Sequence, residues 1–129
     1  GDLAADAAID VGLGREVLDC IVRESPVEKS ALSLPGRRPN PPDHYRTLRV
    51  ERDLATMAVA GGGVTLVDDF VTRGSTFAGA AARVAEVIPQ VNVLCFALVR
   101  TMSEGDVARI LDPCEGVITY EHGKLRREP

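Results

Sequence analysis

The sequence lacks several features that mark particular classes of protein. It has no basic excess, because 15 lysines and arginines face 19 acidic residues, a net charge of −4. This balance argues against a nucleic-acid partner, since nucleic-acid-binding surfaces are basic. No apolar run approaches the roughly 18 residues needed to span a bilayer, so we expect no membrane partner. The sequence contains neither a Ser-His-Asp or Cys-His arrangement nor a spacing typical of metal ligands.

Cysteine is scarce and scattered. The three cysteines, Cys20, Cys95 and Cys114, lie far apart and form no C-x-x-C pair. An odd number of cysteines without a signal peptide favours a reducing compartment, so we expect a cytoplasmic protein. The length of 129 residues and the content of 45% hydrophobic and 26% charged residues are typical of one globular domain over residues 1–129.

Proline is concentrated in one segment. Five of the eight prolines fall within Pro26–Asp43, and prolines at this density break helices and strands alike. We therefore predict a loop there, and loops of this length tend to be functional or disordered. The stretch from Pro26 to Arg49 carries five basic and two acidic residues, which suits a small polyanion such as pyrophosphate. A solvated loop that happens to hold arginines would also explain it.

Hydrophobic periodicity predicts alternating helices and strands. The elements expected outside the centre of the chain are a helix over Leu3–Val11, strands over Val17–Arg23 and Tyr45–Val50, a short helix over Asp106–Leu111, a strand over Gly116–Tyr120 and a frayed tail over Lys124–Pro129. In the centre, a strand begins at Val64, a helix follows Gly74 and ends before Pro89, and Val91–Val99 is a buried strand. This strand–helix–strand unit indicates an α/β fold with a mostly parallel sheet and flanking helices.

Residues 64–76, VTLVDDFVTRGST, combine groups that suit a sugar phosphate. The residues expected to hold a phosphate are Thr72, Arg73, Gly74, Ser75 and Thr76. They open a helix, where free amides and hydroxyls favour an anion and glycine permits a close approach. Asp68 and Asp69, just upstream, are able to accept hydrogen bonds from ribose hydroxyls or to hold a hydrated Mg²⁺.

Other proteins place acids at the end of a strand. A response regulator needs a further aspartate after a later strand, which Val91–Val99 does not supply, and haloacid-dehalogenase-type phosphatases need Asp-x-Asp, whereas Asp68 and Asp69 are adjacent. A third alternative has no ligand at all, with two solvated acids at the strand end and Thr72 or Ser75 as a helix N-cap.

The run of four strand residues, two acids, two apolar residues and a Thr/Gly-containing loop resembles the signature of type I phosphoribosyltransferases. Within that family it is nearest to competence-type (DNA-uptake) members, whose long loop precedes a similar strand. The resemblance implies a three-layer fold, a substrate of phosphoribosyl pyrophosphate with Mg²⁺, and a cytoplasmic role in nucleotide metabolism. Arg73 departs from the pattern, since the family more often has a small or hydroxyl residue there.

The resemblance also implies roles for particular residues. Asp68 and Asp69 would contact the ribose hydroxyls and the metal, and loop 72–76 would hold the 5-phosphate. The long loop would close over the pyrophosphate through basic residues. The candidates there are Lys29, with a catalytic role, and Arg37 and Arg38, with His44 and Tyr45 as further candidates. From its position alone, however, His44 is interpreted as a surface or hydrogen-bonded histidine.

Family members have an earlier strand and a short pyrophosphate-binding loop, and neither precedes Leu3–Val11. Three alternatives remain open: the domain is truncated, another chain supplies this part, or the pyrophosphate site is absent. Two functions are consistent with the resemblance. One is transfer of 5-phosphoribosyl to a nitrogen nucleophile such as a nucleobase, and the family's frequent dimers allow a homodimer. The other is a non-catalytic module that binds phosphoribosyl pyrophosphate or a nucleotide and contacts a nucleic acid or a partner protein. The acceptor is not encoded in any recognisable motif.

Overall fold

The computed structural model describes residues 3–27, 38–53, 60, 62–102 and 104–128 of the chain. The helices are α1 (Leu3–Asp10), α2 (Pro41–Thr47), α3 (Ser75–Val87) and a 3-10 helix (Glu104–Arg109). The strands are β1 (Ile21–Arg23), β2 (Leu48–Val50), β3 (Val64–Val71), β4 (Val93–Arg100), β5 (Val117–Glu121) and β6 (Lys124–Glu128).

The central unit is a parallel pair of strands, β3 and β4, joined by helix α3. The register runs from Val64 opposite Val93 to Val71 opposite Arg100. The hydrophobic core lies between this unit and β2. Its buried residues are Leu48, Val50, Leu66, Phe77, Ala80 and Val84. The helical spacing of the last three places them on one stripe of α3. The sequence-based stripe includes Phe77 and Val84 but has Ala81 in place of Ala80.

Helix α2 corrects the sequence-based expectation of a loop reaching Asp43 and a strand beginning at Tyr45. Its start is a capping box, in which the Asn40 side chain accepts from the Asp43 amide and the Asp43 carboxylate accepts from the Asn40 amide. Pro41 stands at the first helical position, where its missing N–H costs nothing. The strand that follows is limited to β2.

Two antiparallel pairs flank the centre. β1 pairs with β2, with Ile21 opposite Val50, and β1 is shorter than the predicted strand from Val17. β5 pairs with β6, so the charged tail expected to fray from Lys124 onwards forms a strand. In β6, Leu125 and Arg127 are half-buried and the other residues are exposed. Arg127 also donates hydrogen bonds to the Val71 and Thr101 carbonyls. These contacts explain why this charged segment forms a strand.

The described residues therefore have a mixed α/β architecture of three small sheets, of which β3–β4 is the parallel one. The expected α/β class is confirmed at this level, whereas a mostly parallel sheet is not seen among the described strands. Within the same residues, no helix has the length and apolar character required to cross a membrane.

Candidate functional site

The site lies where β3 ends and α3 begins. Residues 72–74 connect the two elements at the carboxyl end of the parallel pair, which is the end at which α/β proteins bind ligands. The residues that the sequence singles out as a phosphate loop therefore occupy the expected edge of the sheet.

The first turn of α3 leaves its amides open. Gly74 is the N-cap, in a left-handed conformation with φ 87° and ψ 16°, and no side chain caps the helix. The first backbone bond of this turn runs from the Ala78 amide to the Gly74 carbonyl at 2.9 Å. The amides of Ser75, Thr76 and Phe77 precede that bond, so they have no partner within the helix. The alternative in which Thr72 or Ser75 caps the helix is thus not what the structure shows.

Gly74 is required here for two physical reasons. Its positive φ disfavours residues with a side chain. In addition, a Cβ at this position would lie 2.6 Å from Cδ1 of Ile118 on β5. The glycine therefore lets the β5–β6 hairpin pack directly against the loop.

The hairpin also binds the ends of both parallel strands. One guanidinium nitrogen of Arg127 donates to the Val71 carbonyl at 3.4 Å, and another donates to the Thr101 carbonyl at 2.7 Å. The Thr101 amide donates to the same Val71 carbonyl at 3.0 Å. Arg127 thus fixes the backbone immediately before the loop.

A small cavity of about 40 Å³ adjoins the loop, and we call it the loop pocket. Its lining residues are Arg38, Pro39, His44, Asp68, Phe70, Val71, Thr72, Arg73, Gly74, Ser75, Thr76 and Phe77. The structure therefore brings together Asp68, all five residues of the predicted phosphate loop and one of the predicted basic residues, Arg38. Lys29 and Arg37 lie outside the described residues.

A second, larger cavity of about 840 Å³ lies beside the loop pocket, and we call it the cleft. It is lined by α1, segment 12–23, the amino-terminal part of β3 and the start of α3. Asp68, Thr76 and Phe77 line both cavities. The cleft has the volume of a typical small-molecule site. Its charged lining residues are two basic and three acidic ones: Arg15, Arg23, Glu16, Asp19 and Asp68.

The two adjacent acids have different positions. Asp68 is half-buried and lines both cavities, whereas Asp69 is exposed and lines neither. Both lie within β3, and successive side chains of a strand point to opposite faces. Within the described part of the chain, neither carboxylate forms a hydrogen bond or ion pair with another residue. Asp68 is therefore the acid available to a ligand at the loop.

The residues at the loop are compatible with a magnesium ion only if the ligand supplies most of the coordination. No group of three or more His, Cys, Asp or Glu side chains among the described residues is arranged to hold a metal. Mg²⁺ commonly keeps several waters and uses one or two carboxylates together with substrate phosphates. Asp68 fits that role as a single carboxylate beside the cleft.

His44, on α2, was interpreted from the sequence as a surface or hydrogen-bonded histidine, and the structure buries it. The residue is only 8% exposed, it lines the loop pocket, and its buried Nδ1 atom has no hydrogen-bond partner among the described residues. Burial lowers the pKa of His44, and the nearby Arg23 lowers it further, while Asp43 and Asp68 oppose the change. The lowered pKa favours the neutral form of the imidazole. No signal in the local sequence reveals this burial, because it depends on contacts with α3.

Close packing between α2 and α3 holds His44 in place. Gly79 lies at the contact: a Cβ there would come within 2.7 Å of both the His44 Cβ and the Pro41 carbonyl oxygen. Beside it, the Tyr45 hydroxyl donates to Glu86 at 2.8 Å, and the Arg83 guanidinium stacks 4.3 Å from the Tyr45 ring centre. The hydrogen bond to Glu86 raises the pKa of Tyr45. The position of His44 is thus set by a tight interface between two helices.

Comparison with known proteins adds nothing to this geometry. No family model matches the chain, and the searches of curated proteins and of solved structures give no match either.

Proposed function

We propose that this protein is a phosphoribosyltransferase of the type I kind. In this proposal it transfers the 5-phosphoribosyl group of phosphoribosyl pyrophosphate to a nitrogen nucleophile and releases pyrophosphate. The observation that carries the proposal is the arrangement at the end of β3: a loop pocket that opens beside the larger cleft, with Asp68 lining both. We further propose that the described elements belong to the three-layer fold of that family.

The loop pocket supplies the groups that a 5-phosphate needs. The open amides at the start of α3 carry partial positive charge, because the helix dipole is unopposed there. Hydroxyls of Thr72, Ser75 and Thr76 line the same pocket as further donors, and the Arg38 and Arg73 side chains add positive charge. These features together favour a phosphoryl group over a neutral ligand.

The cleft supplies room for the rest of the substrate. A ribose whose 5-phosphate lies at the loop would reach Asp68, whose carboxylate accepts hydrogen bonds from the ribose hydroxyls. The pyrophosphate would then extend into the cleft towards Arg15 and Arg23. Magnesium, when bound with the substrate, supplies positive charge that stabilises the leaving pyrophosphate.

In this mechanism the chain's own residues position the sugar and neutralise developing charge. Asp68 fixes the ribose, loop 72–76 anchors its phosphate, and Arg15 and Arg23 lie in the cleft into which the pyrophosphate extends. Arg38, expected from the sequence to contact the pyrophosphate, lines the loop pocket and assists the 5-phosphate instead. Lys29 and Arg37, whose assignment rests on the sequence alone, would close over the pyrophosphate.

The test is calorimetric titration of phosphoribosyl pyrophosphate with and without Mg²⁺, followed by assays of pyrophosphate release with a panel of nucleobases. We expect magnesium-dependent binding that Asp68→Asn weakens at least tenfold. Asp112→Asn, which makes the same charge change at an exposed residue that lines neither cavity, is the matched control. Full binding and turnover by Asp68→Asn would refute the proposal.

A second function is favoured by the position of Asp69. Only one of the two acids lines the cavities, whereas the family signature uses both. A non-catalytic module that binds phosphoribosyl pyrophosphate or a nucleotide, and signals to a nucleic acid or a partner protein, requires an anion site but not a complete catalytic set.

The acid pair distinguishes the two functions. If the protein is an enzyme, Asp69→Asn lowers the rate of pyrophosphate release by at least tenfold, because β3 must then rearrange to present both acids. If it is a binding module, wild-type protein binds the ligand without releasing pyrophosphate, and Asp69→Asn leaves the affinity unchanged. Salt-dependent binding of RNA or DNA that is lost in Arg38→Gln would identify nucleic acid as the partner.

A further inference from the structure

We propose that His44 is a ligand-contacting residue of the loop pocket and that its imidazole donates a hydrogen bond to the bound phosphoryl group. This inference deepens the proposed function and rests on it for the identity of the ligand as a sugar phosphate. The shared chemistry is a tetrahedral oxyanion at the start of α3, and either a sugar phosphate or a free anion could supply it.

The geometry places His44 and the phosphate loop around the same cavity. The residue is on α2, while the loop connects β3 to α3, and both line one cavity of about 40 Å³. Gly79 fixes the distance between the helices, since there is no space for a Cβ between it and His44. An anion that fills this small cavity at the open amides of α3 would therefore have His44 as a neighbour.

The hydrogen bonding of His44 is incomplete without a ligand. Nδ1 is buried and has no hydrogen-bond partner within the described part of the chain, and an unpaired buried polar atom is uncommon in folded proteins because it gives up its bonds to water. Since a neutral imidazole has one N–H donor and one acceptor, an anion in the pocket would give the ring a partner.

The charges around the ring favour coupling between anion binding and proton uptake. Arg23 of β1 lowers the pKa of the His44 ring, whereas Asp43 of α2 and Asp68 of β3 raise it. Two further charged residues, Arg38 and Arg73, line the same pocket. A bound dianion would add negative charge near the ring, so binding would strengthen as the pH falls and the ring takes up a proton.

The experiment uses NMR on the full chain, following the ring signals of both histidines from pH 5 to 8. Three probes are added in turn: sulfate, which does not titrate in this range, ribose 5-phosphate, and phosphoribosyl pyrophosphate with Mg²⁺. We expect the His44 signals to move with all three and to titrate at higher pH in their presence. His122, in the turn between β5 and β6, is the internal control and stays unchanged.

Variants provide the second measurement. His44→Asn, which keeps a polar donor of smaller size, is expected to weaken ribose 5-phosphate binding about tenfold and to abolish its dependence on pH beyond that of the phosphate itself. His122→Asn is the matched control with wild-type affinity. The signals of the wild-type protein decide the question even if His44→Asn fails to fold.

The outcomes separate this inference from the proposed function. If phosphoribosyl pyrophosphate binds without moving the His44 signals, and His44→Asn binds it equally well, the inference fails and the proposed function stands. If sulfate and ribose 5-phosphate move the His44 signals but phosphoribosyl pyrophosphate with Mg²⁺ binds no better than they do, the inference stands and the proposed function fails. If none of the three probes binds, both are overturned.

Discussion

The loop between β3 and α3 is supported from two sides, and the two supports differ in kind. On one side, α2 packs closely on α3 and contributes a buried side chain, His44, to the loop pocket. On the other, the β5–β6 hairpin is mostly exposed, and none of its described residues lines that pocket. The hairpin acts on the backbone instead, through Ile118 at Gly74 and Arg127 at Val71. We infer that α2 provides chemistry and the hairpin provides position.

A loss of stability is expected from breaking the α2 side. In Gly79→Ala, the new Cβ would meet backbone atoms of Pro41 and Tyr45 at 2.7 and 2.9 Å, so α2 must move. Overpacking of this kind costs about 1–3 kcal/mol, which exceeds the gain of about 1 kcal/mol in helix propensity. Urea denaturation measures the net loss. Ala82→Gly, at an exposed position of the same helix, measures the contribution of helix propensity alone. If Gly79→Ala is more stable than wild type, the interface between α2 and α3 is not tightly packed.

The hairpin side is tested by a pair of glycines with similar backbone conformation. Gly74 has φ 87° and Gly12 has φ 79°, but nothing lies within 4 Å of a Cβ built on Gly12. An alanine at either position costs about 1–2 kcal/mol for its left-handed backbone, and at Gly74 it also displaces Ile118. We expect Gly74→Ala to be less stable than Gly12→Ala by about 1 kcal/mol. The difference should disappear in an Ile118→Ala background; if it persists, Ile118 is not its cause.

Arg127→Gln is expected to have a smaller effect, about 1 kcal/mol, because it removes two hydrogen bonds at the surface of the hairpin. Hydrogen exchange at the Thr101 amide, which shares the Val71 carbonyl with Arg127, should become faster. Arg126→Gln, one residue away and exposed, makes the same charge change without these bonds. Equal exchange rates in the two variants would mean that the Arg127 hydrogen bonds do not stabilise the backbone before the loop.

The smallest effect concerns pH. Because the folded-state pKa of His44 lies below the ordinary value of 6.5, the unfolded chain binds more protons between these two values. Stability therefore falls as the pH drops below about 6.5, with a slope of at most about 1.4 kcal/mol per pH unit from this residue. Unfolding curves between pH 8 and pH 5 should show this part of the slope in wild type and in His122→Gln but not in His44→Gln. An identical slope in all three would mean that His44 is accessible to protons when folded.

Sequence reasoning succeeded where one short-range signal dominated. The apolar stripe of α3 and the apolar runs of β3 and β4 predicted the strand–helix–strand unit, and this unit alone places loop 72–76 at the carboxyl edge of the sheet. The expectation that both strands are buried was wrong, since β4 has no buried residue and β3 has one, Leu66. Helix α2 was missed because its prolines were counted as helix breakers. The order Asn40-Pro41-Pro42-Asp43 is itself a helix-start signal, with a cap residue, a proline at the first position and an acid at the third.

The details of the site were less predictable. The division of roles between Asp68 and Asp69 follows from strand alternation, but only if β3 is known to continue to Val71, whereas the sequence suggested a strand of four residues. The burial of His44 depends on Gly79, which is 35 residues away, and the support of the loop by Arg127 depends on a contact 56 residues away. Such tertiary contacts leave no local pattern in a single sequence.

The span of the Arg127 contacts has a consequence for the order in which the protein assembles. Its hydrogen bonds join residues that are 56 positions apart, to Val71, and 26 positions apart, to Thr101. By contrast, β3, α3 and β4 follow one another directly in the sequence. Contacts between distant residues form more slowly because more chain entropy is lost in closing them. During synthesis the strand–helix–strand unit is complete once Arg100 has left the ribosome. Arg127 adds its hydrogen bonds to Val71 and Thr101 only after 27 further residues have followed, so this support of the candidate site forms after the unit itself.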